Sequence, residues 1–333
     1  MHSTRRTLLS ALGIAGALAL TATACSSAGE GEDAGEGLSI VATTTQIGDV
    51  TRTIAGDDVN LTQLLQPGAS AHGFDPTPAS LQALGQADAI VLNGAGLEDW
   101  LAPVLESSGF DGVMIDASEG LALSGDLEDH DDHGEDDHGH DHDADPHLWT
   151  DPANVIAMAE TIGDQLAQLD EGSAATISEN TDDYVEQLEA LQHWMGEAFE
   201  QVPVEDRLLV TSHDSFHYLA EAYDIEVVGS LLPSFDDNAE VSAAAIDRLV
   251  ADIRGTGARA IFSESQLPAD LANTIAAEAD VEVYSGEESL FTDSLGAEGS
   301  PGETYIGSQI HNTRLMVEAW GGGEAPELPD VLQ

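Results

Sequence analysis

Short apolar runs alternate with stretches whose apolar residues recur every three or four positions, from Leu38 to Trp320. In its first half this alternation predicts four strands and four helices. The predicted strands are Leu38–Thr43, Val59–Leu65, Ala89–Asn93 and Val113–Asp116. The predicted helices are Asp49–Ala55, Ser80–Gln86, Trp100–Ser107 and Pro152–Leu169. Alternation of this kind indicates parallel strands with helices packed on both faces of the sheet.

The second half of the chain repeats the pattern. The predicted strands there are Arg207–Thr211, Ile225–Val228, Ala260–Ser263 and Val281–Tyr284. The predicted helices are Asp214–Tyr223, Val241–Arg254, Ala269–Ala279 and Thr304–Trp320. Open α/β sheets bind their ligands beyond the carboxyl ends of the strands, so functional residues are expected in the loops at those ends.

One long amphipathic helix is predicted between the two halves, from about Ser173 to Gln201. The apolar residues of its single stripe are Ile177, Tyr184, Leu188, Leu191, Met195 and Phe199. Roughly 29 helical residues span about 43 Å, which is longer than a small domain is wide and suits a link between two lobes. We therefore predict an α/β fold with lobes at 38–172 and 203–333, joined by a helix at 173–202, with a cleft between the lobes.

The net charge of the chain excludes one class of function. The sequence has 63 acidic residues against eight arginines and no lysine, a formal net charge of −55. Nucleic-acid binding needs a cationic face, so it is not expected here. Two explanations of the acidity stay open. One is adaptation to a salty medium, and the other is long-range attraction of cations, which salt would screen.

The first 25 residues are predicted to be a lipoprotein signal peptide. Arg5 and Arg6 precede the apolar stretch Leu8–Leu20, and small residues then precede Cys25, the only cysteine of the chain. Cleavage there would leave Cys25 as a lipidated N-terminus on the outer face of the cytoplasmic membrane, and residues 26–37 would form a flexible tether. The alternative is an ordinary secretory leader with an incidental cysteine. The arginine pair also resembles a twin-arginine export signal.

Residues 126–146 are predicted to be a disordered loop rich in histidine and acidic residues, because they offer almost no apolar side chain to bury. Its histidines are His130, His133, His138, His140 and His142. The alternative interpretation, a solvated acidic loop, explains the eleven carboxylates but not five closely spaced imidazoles. We therefore predict an auxiliary metal-binding loop.

Four residues in loops after predicted strands are the candidate metal ligands: His72, His147, His213 and Asp293. None of them lies on an apolar helical face, where a core histidine would be expected. Each alone would more often have a surface or capping role. Together they provide three imidazoles and a carboxylate, which is enough to complete a tetrahedral site.

Several neighbouring residues have two possible roles. Glu264 could orient a ligand histidine or cap a helix. His217 is four residues after His213 and could share its helical face, although a ligand role is the less favoured of its interpretations. Trp149 is expected to wall the cleft and Asp151 to cap the next helix. Surface or packing roles are expected for His193 and His311.

The segments around the four candidate ligands resemble the motifs of one known family. They read AHGFDPTP at His72, DPHLWTDP at His147, TSHDSFHYLAEAYDI at His213 and FTDSLG at Asp293. In this order and over this length, the chain is similar to the substrate-binding lipoproteins of bacterial zinc and manganese uptake ABC transporters, the cluster A-I type. The histidine-rich loop is typical of the zinc-binding members.

The resemblance implies a monomer without catalytic activity that captures a metal ion outside the cell and delivers it to a membrane permease served by an ATPase. It also implies that the long helix is rigid and that the metal site lies in the cleft between the lobes. Manganese-binding members typically place a carboxylate where His213 stands. The histidine at that position favours Zn²⁺ over Mn²⁺ as the transported ion.

Three alternatives remain at this stage. The chain could be a manganese-binding counterpart in the same family. It could be an extracellular zinc hydrolase, which would use three protein ligands and leave one position open for water; the fourth ligand, Asp293, argues against this. It could also be a surface adhesin or metal-buffering protein that has no transporter.

Overall fold

The computed structural model of the chain describes residues 37–124, 144–232 and 241–333. The predicted signal peptide, Cys25 and nearly all of the tether lie outside the described residues, as do the five histidines of the acidic loop. Within the described parts of the chain, no helix is both long enough and apolar enough to cross a membrane.

The N-terminal lobe is a parallel four-stranded sheet covered by helices, as predicted. Its strands are β1 (Ser39–Ala42), β2 (Asn60–Gln63), β3 (Ala89–Leu92) and β4 (Val113–Asp116). Its helices are α1 (Thr45–Ala55), α2 (Pro78–Gln86), α3 (Leu101–Ser108) and α4 (Pro152–Leu169). The strand order is β2-β1-β3-β4, and every neighbouring pair is parallel.

Side-chain caps fix where two of these helices begin. The Thr44 side chain accepts a hydrogen bond from the backbone N–H of Ile47, so α1 begins at Thr45, four residues earlier than the apolar pattern predicts. The Asp151 side chain accepts from Ala153 and caps α4, which confirms the role expected for Asp151.

The long helix α5 (Ala174–Phe199) has 26 residues and packs against α1 and α4 of the N-terminal lobe. All six residues of the predicted apolar stripe are buried. α4 and α5 approach each other closely at Gly163, where a Cβ atom would lie 2.3 Å from Oγ1 of Thr181. The absence of a side chain at Gly163 therefore sets the spacing between these two helices.

The C-terminal lobe also contains parallel strands and flanking helices. The strands are β5 (Leu208–His213), β6 (Glu226–Leu232), β7 (Ala260–Phe262) and β8 (Glu282–Tyr284). The helices are α6 (His217–Ala222), α7 (Ala243–Thr256), α8 (Asp270–Ala279) and α9 (Tyr305–Ala319). The pairs are β5–β6 and β7–β8. Short 3₁₀ helices lie at Gly56–Asp58, Leu148–Thr150, Val204–Asp206, Gly286–Glu288 and Asp330–Leu332.

One cluster of buried apolar residues runs through both lobes and α5. Phe199, at the end of α5, lies 6.0 Å from the ring of Trp320 beyond α9, and Trp320 lies 6.4 Å from Phe262 on β7. Trp149 of the N-terminal lobe belongs to the same cluster. The two lobes therefore meet through a shared hydrophobic core as well as through the helix that links them.

Candidate metal centre

The four candidate ligands converge where the lobes meet: one ligand atom from each of His72, His147, His213 and Asp293 lies within 4.8 Å of the others. Three of them are almost completely buried, and the His72 side chain is 11% exposed. The structure thus brings together two residues from each lobe. Among the described residues, this is the group of histidine and acidic side chains with the spacing of a metal site.

Five of the distances between donor atoms are short and similar. Nε2 of His147 lies 3.2 Å from Nε2 of His72 and 3.3 Å from Nε2 of His213. The Asp293 carboxylate lies 3.2 Å from both His72 and His213 and 3.5 Å from His147. All three imidazoles therefore present the same ring nitrogen to a common point.

The candidate ligands lie at or beyond strand ends, as expected for an open α/β fold. His213 is the last residue of β5, and His72 lies in the loop between β2 and α2. His147 immediately precedes the 3₁₀ helix Leu148–Thr150, and Asp293 follows β8.

Two buried carboxylates orient two of the imidazoles. Oδ1 of Asp145 lies 2.7 Å from Nδ1 of His147 and also accepts the backbone N–H of that residue at 3.0 Å. Oε2 of Glu264 lies 2.5 Å from Nδ1 of His213, and its Oε1 accepts the His213 backbone N–H at 2.9 Å. With Nδ1 engaged in this way, Nε2 of each ring is directed at the centre.

Glu264 therefore has the orienting role and not the capping role, since α8 begins only at Asp270 and its cap residue is Ala269. Asp145 was missed as an orienting residue because it falls within the predicted acidic loop at 126–146. Both Asp145 and Pro146 are buried in the folded body. An aspartate two residues before a ligand histidine was the available signal.

The electrostatics of the metal-free centre favour a cation. Burial lowers the pKa of the His213 imidazole, but the carboxylates of Glu264 and Asp293 outweigh burial and raise that pKa well above its ordinary value. Burial raises the pKa of the Asp293 carboxyl, but the three neighbouring imidazoles outweigh it and hold that pKa well below its ordinary range. The buried carboxylates of Glu264 and Asp293 therefore favour a positive charge at this point.

Both ends of the histidine-rich segment are held together beside the centre. The backbone N–H of Asp145 donates to the carbonyl of Ser124 at 3.0 Å. The Tyr218 hydroxyl donates to the Asp145 carbonyl at 2.8 Å and accepts the Ser124 N–H at 3.1 Å. We call these three residues the segment clamp. The segment therefore leaves and re-enters the folded body at one point, two residues before the candidate ligand His147.

The buried carboxylate of Glu98, in the N-terminal lobe, supports the backbone just before His147. Glu98 accepts hydrogen bonds from the Thr43 hydroxyl at 2.6 Å and from the backbone of Asn93 and Gly94 at 2.8 and 3.0 Å. Burial, its largest influence, raises the pKa of Glu98 to about 7. The Asn93 side chain donates to the carbonyl of Pro146 at 3.0 Å and so fixes the residue before the ligand. Nothing in the sequence pattern marked this pair.

Other histidines lie away from the centre. Nε2 of His217 pairs with Asp214 at 3.1 Å, and the His217 side chain is 44% exposed. The less favoured alternative of a helical face shared with His213 does not occur, because His213 ends β5 and α6 begins only at His217. His193 is 75% exposed, and His311 contacts the carbonyl of Ser289, consistent with surface and packing roles.

Trp149 forms part of the wall of the centre. Its ring centroid lies 5.2 Å from that of His147, and its side chain is 2% exposed. The indole N–H donates to the carbonyl of Thr292, next to the ligand Asp293, at 2.9 Å. Trp149 therefore covers the centre and also ties the two lobes together there.

Comparison with known proteins agrees with this architecture. The sequence matches the family described as zinc-uptake complex component A, periplasmic (ZnuA), over residues 40–319. The manganese-binding lipoprotein MntA of Halalkalibacterium halodurans is 32% identical over 303 residues, which cover 90% of this chain and 94% of MntA. The manganese ABC transporter substrate-binding lipoprotein PsaA of Streptococcus anginosus is 28% identical, covering 89% and 93% of the two chains.

Solved structures show the same fold. The periplasmic zinc-binding protein TroA from Treponema pallidum superposes with a TM-score of 0.76 at 27% identity, covering 85% of this chain and 99% of TroA. A manganese-bound periplasmic metal-binding protein from Candidatus Liberibacter asiaticus gives a TM-score of 0.72 at 26% identity, covering 84% and 98%. The family consists of transporter components and not of enzymes. The chain belongs to this family and is the metal-binding, substrate-binding component of an ABC transporter.

Proposed function

We propose that the ion carried by this protein is Zn²⁺ and that His72, His147, His213 and Asp293 bind it. The observation that carries this proposal is the spacing of the donor atoms. A tetrahedron with metal–ligand bonds of about 2.0–2.1 Å has edges of about 3.3 Å. Five of the distances between donor atoms lie between 3.2 and 3.5 Å, with Oδ2 of Asp293 facing His72 and His213 and Oδ1 facing His147. These distances support a four-coordinate zinc ion bound by the four side chains.

Manganese is the competing cargo, because MntA and PsaA are both named for manganese. Mn²⁺ prefers oxygen ligands and higher coordination numbers, whereas three imidazoles and one carboxylate form a nitrogen-rich site. TroA, the structural neighbour named for zinc, shows that zinc binding also occurs on this fold. The donor set of this chain favours Zn²⁺ over Mn²⁺.

The remaining parts of the proposal concern where the protein works. A lipid attached to Cys25 would hold the chain at the outer face of the cytoplasmic membrane, with residues 26–37 as a tether. The lobes at 38–172 and 203–333, linked by the helix at 173–202, would deliver the ion as a monomer to a permease and its ATPase. The support is the leader pattern of the sequence and the names of the relatives, which are lipoproteins of ABC transporters.

The histidine-rich segment would collect zinc as an auxiliary, weaker site. Its histidines His130, His133, His138, His140 and His142 lie outside the described residues. The support is the segment clamp, which places both ends of the segment beside the centre.

The test uses the protein without residues 129–143, so that only the centre binds tightly. Titration against a chelator of known affinity should show one tight Zn²⁺ per chain, and Mn²⁺ should fail to displace it at equal concentration. The His72→Ala, His213→Ala double variant should lose tight binding. Equal zinc binding by the double variant would contradict the ligand assignment, and preference for Mn²⁺ in competition would contradict the cargo.

A further inference from the structure

The backbone on both sides of the ligand Asp293 is held by the first turn of α1, in the other lobe. The Gln46 side chain donates from Nε2 to the carbonyl of Thr292 at 2.5 Å. The backbone N–H of Leu295 donates to Oγ1 of Thr45 at 2.8 Å. Asp293 therefore lies in a short span whose two ends are bound by adjacent residues of the N-terminal lobe.

The two α1 side chains are also bound to each other. The Thr45 hydroxyl donates its proton to Oε1 of Gln46 at 2.9 Å, which leaves its lone pairs for the Leu295 N–H. This bond fixes the orientation of the Gln46 amide, so that Nε2 faces Thr292. Gln46 and Thr45 are each 3% exposed and Thr292 is 2% exposed, so water does not compete for these bonds. We call these bonds the α1 clasp.

Two further contacts cross between the lobes at the same place. The indole N–H of Trp149 shares the Thr292 carbonyl, and the backbone N–H of Gly68 donates to Oγ of Ser294 at 2.7 Å. Within the C-terminal lobe, the Thr292 hydroxyl donates to the Glu264 carboxylate at 2.7 Å. The span that carries Asp293 is thus part of the C-terminal lobe by chain connectivity, yet its position depends on donors from the N-terminal lobe.

We propose that Gln46 is a positioning residue for the bound metal, acting through the Thr292 carbonyl to hold the Asp293 carboxylate at the centre. The proposal rests on the assignment of Asp293 as a ligand under the proposed function. Gln46 touches no ligand atom, so its effect on the metal must pass through this backbone. Loss of the clasp leaves the Asp293 span bound to the N-terminal lobe only through Trp149 and Gly68, and the metal then dissociates faster.

The chain offers a control for the loss of a side-chain amide bond to α1, at a half-buried position away from the centre. The Asn180 side chain on α5 donates to the carbonyl of Ile54 at 2.9 Å and so joins α5 to α1 away from the centre. Asn180→Leu and Gln46→Met each remove one side-chain donor to a backbone carbonyl with little change in volume. A general loss of packing at α1 would be common to both variants, whereas displacement of Asp293 belongs to Gln46→Met alone.

The test measures zinc dissociation into excess chelator and the visible absorption of Co²⁺ bound in place of zinc. Gln46→Met should raise the dissociation rate constant about tenfold, the size expected for one buried hydrogen bond. Its Co²⁺ bands should weaken, because a displaced carboxylate lets water raise the coordination number. Asn180→Leu should keep the wild-type rate and the wild-type Co²⁺ spectrum.

Thr45→Val provides a second variant that removes the clasp hydroxyl at constant shape, and it is used if Gln46→Met does not fold. It should likewise accelerate zinc release. A wild-type rate and Co²⁺ spectrum in the folded clasp variant would overturn the proposal. Absence of tight zinc binding in the wild-type protein would instead overturn the proposed function, so the two failures are distinguishable.

Discussion

Oε2 of Glu264 lies 2.5 Å from Nδ1 of His213, and both side chains are fully buried. This contact holds the ring of the candidate ligand His213 in one orientation. We predict that Glu264→Gln weakens zinc binding about 10- to 100-fold, the usual effect of losing such a partner. Chelator competition measures this. Glu282→Gln, at an exposed position on β8, is the control and should bind like the wild type. Equal affinities in all three proteins would contradict the orienting role of Glu264.

The raised pKa of His213 predicts opposite pH trends for metal affinity and for the stability of the metal-free protein. Protonated His213 stabilises the metal-free fold below its unfolded pKa of about 6.5, and this contribution is lost as the pH rises through the raised folded value. Metal must displace that proton, so zinc affinity should rise over the same pH range.

Calorimetric titration of zinc in two buffers of different ionisation enthalpy measures the protons released. At pH 7.5, where an ordinary imidazole is mostly neutral, release of about one proton per zinc is expected. No proton release at this pH would show that His213 is already neutral in the metal-free protein.

The segment clamp predicts that the histidine-rich segment can be removed without harm to the centre. Ser124 and Asp145 already share a 3.0 Å hydrogen bond, so deletion of residues 129–143 only shortens the connection between two points that are held together. Titration should show fewer zinc ions per chain and an unchanged tight site. Loss of the tight site on deletion would mean that the segment contributes a ligand.

Substitution of Gly163 by alanine is expected to create a packing defect between α4 and α5. A second substitution, at Thr181, should repair that defect. A Cβ atom there would lie 2.3 Å from Oγ1 and 2.9 Å from Cγ2 of Thr181, so rotation of the Thr181 side chain cannot relieve both contacts. Gly163→Ala should therefore lower the free energy of unfolding by about 1–3 kcal/mol, despite the better helix propensity of alanine. Chemical denaturation of Gly163→Ala should show this loss, and adding Thr181→Ala should recover most of it.

Much of the fold could be predicted from the sequence because each strand and helix is marked by its own apolar period. The boundaries that were missed depend on other interactions. α1 begins early because of the Thr44 cap, and α6 begins late, after the chain turns beyond His213. β6 continues to Leu232 and pairs with His213, a tertiary contact that local periodicity does not encode.

The candidate ligands could be selected from the sequence because imidazoles after strand ends are unusual and their motifs are specific, and the structure brings all four side chains together. Their supporting residues could not, because a buried hydrogen bond leaves no periodic signature. Gln46 and Asn93 are ordinary polar residues in sequence, and only the folded chain shows that each binds a backbone carbonyl beside a ligand. Asp145 was hidden by the acidic composition around it.

The segment clamp has a consequence for how such a protein can diverge. Because Ser124, Asp145 and Tyr218 close the insertion point on themselves, the number of histidines beyond it can grow or shrink between generations without moving His147. Under the proposed function, the capacity of the segment to collect metal and the affinity of the centre would therefore evolve independently. A lineage facing scarcer metal would lengthen the segment without altering the centre.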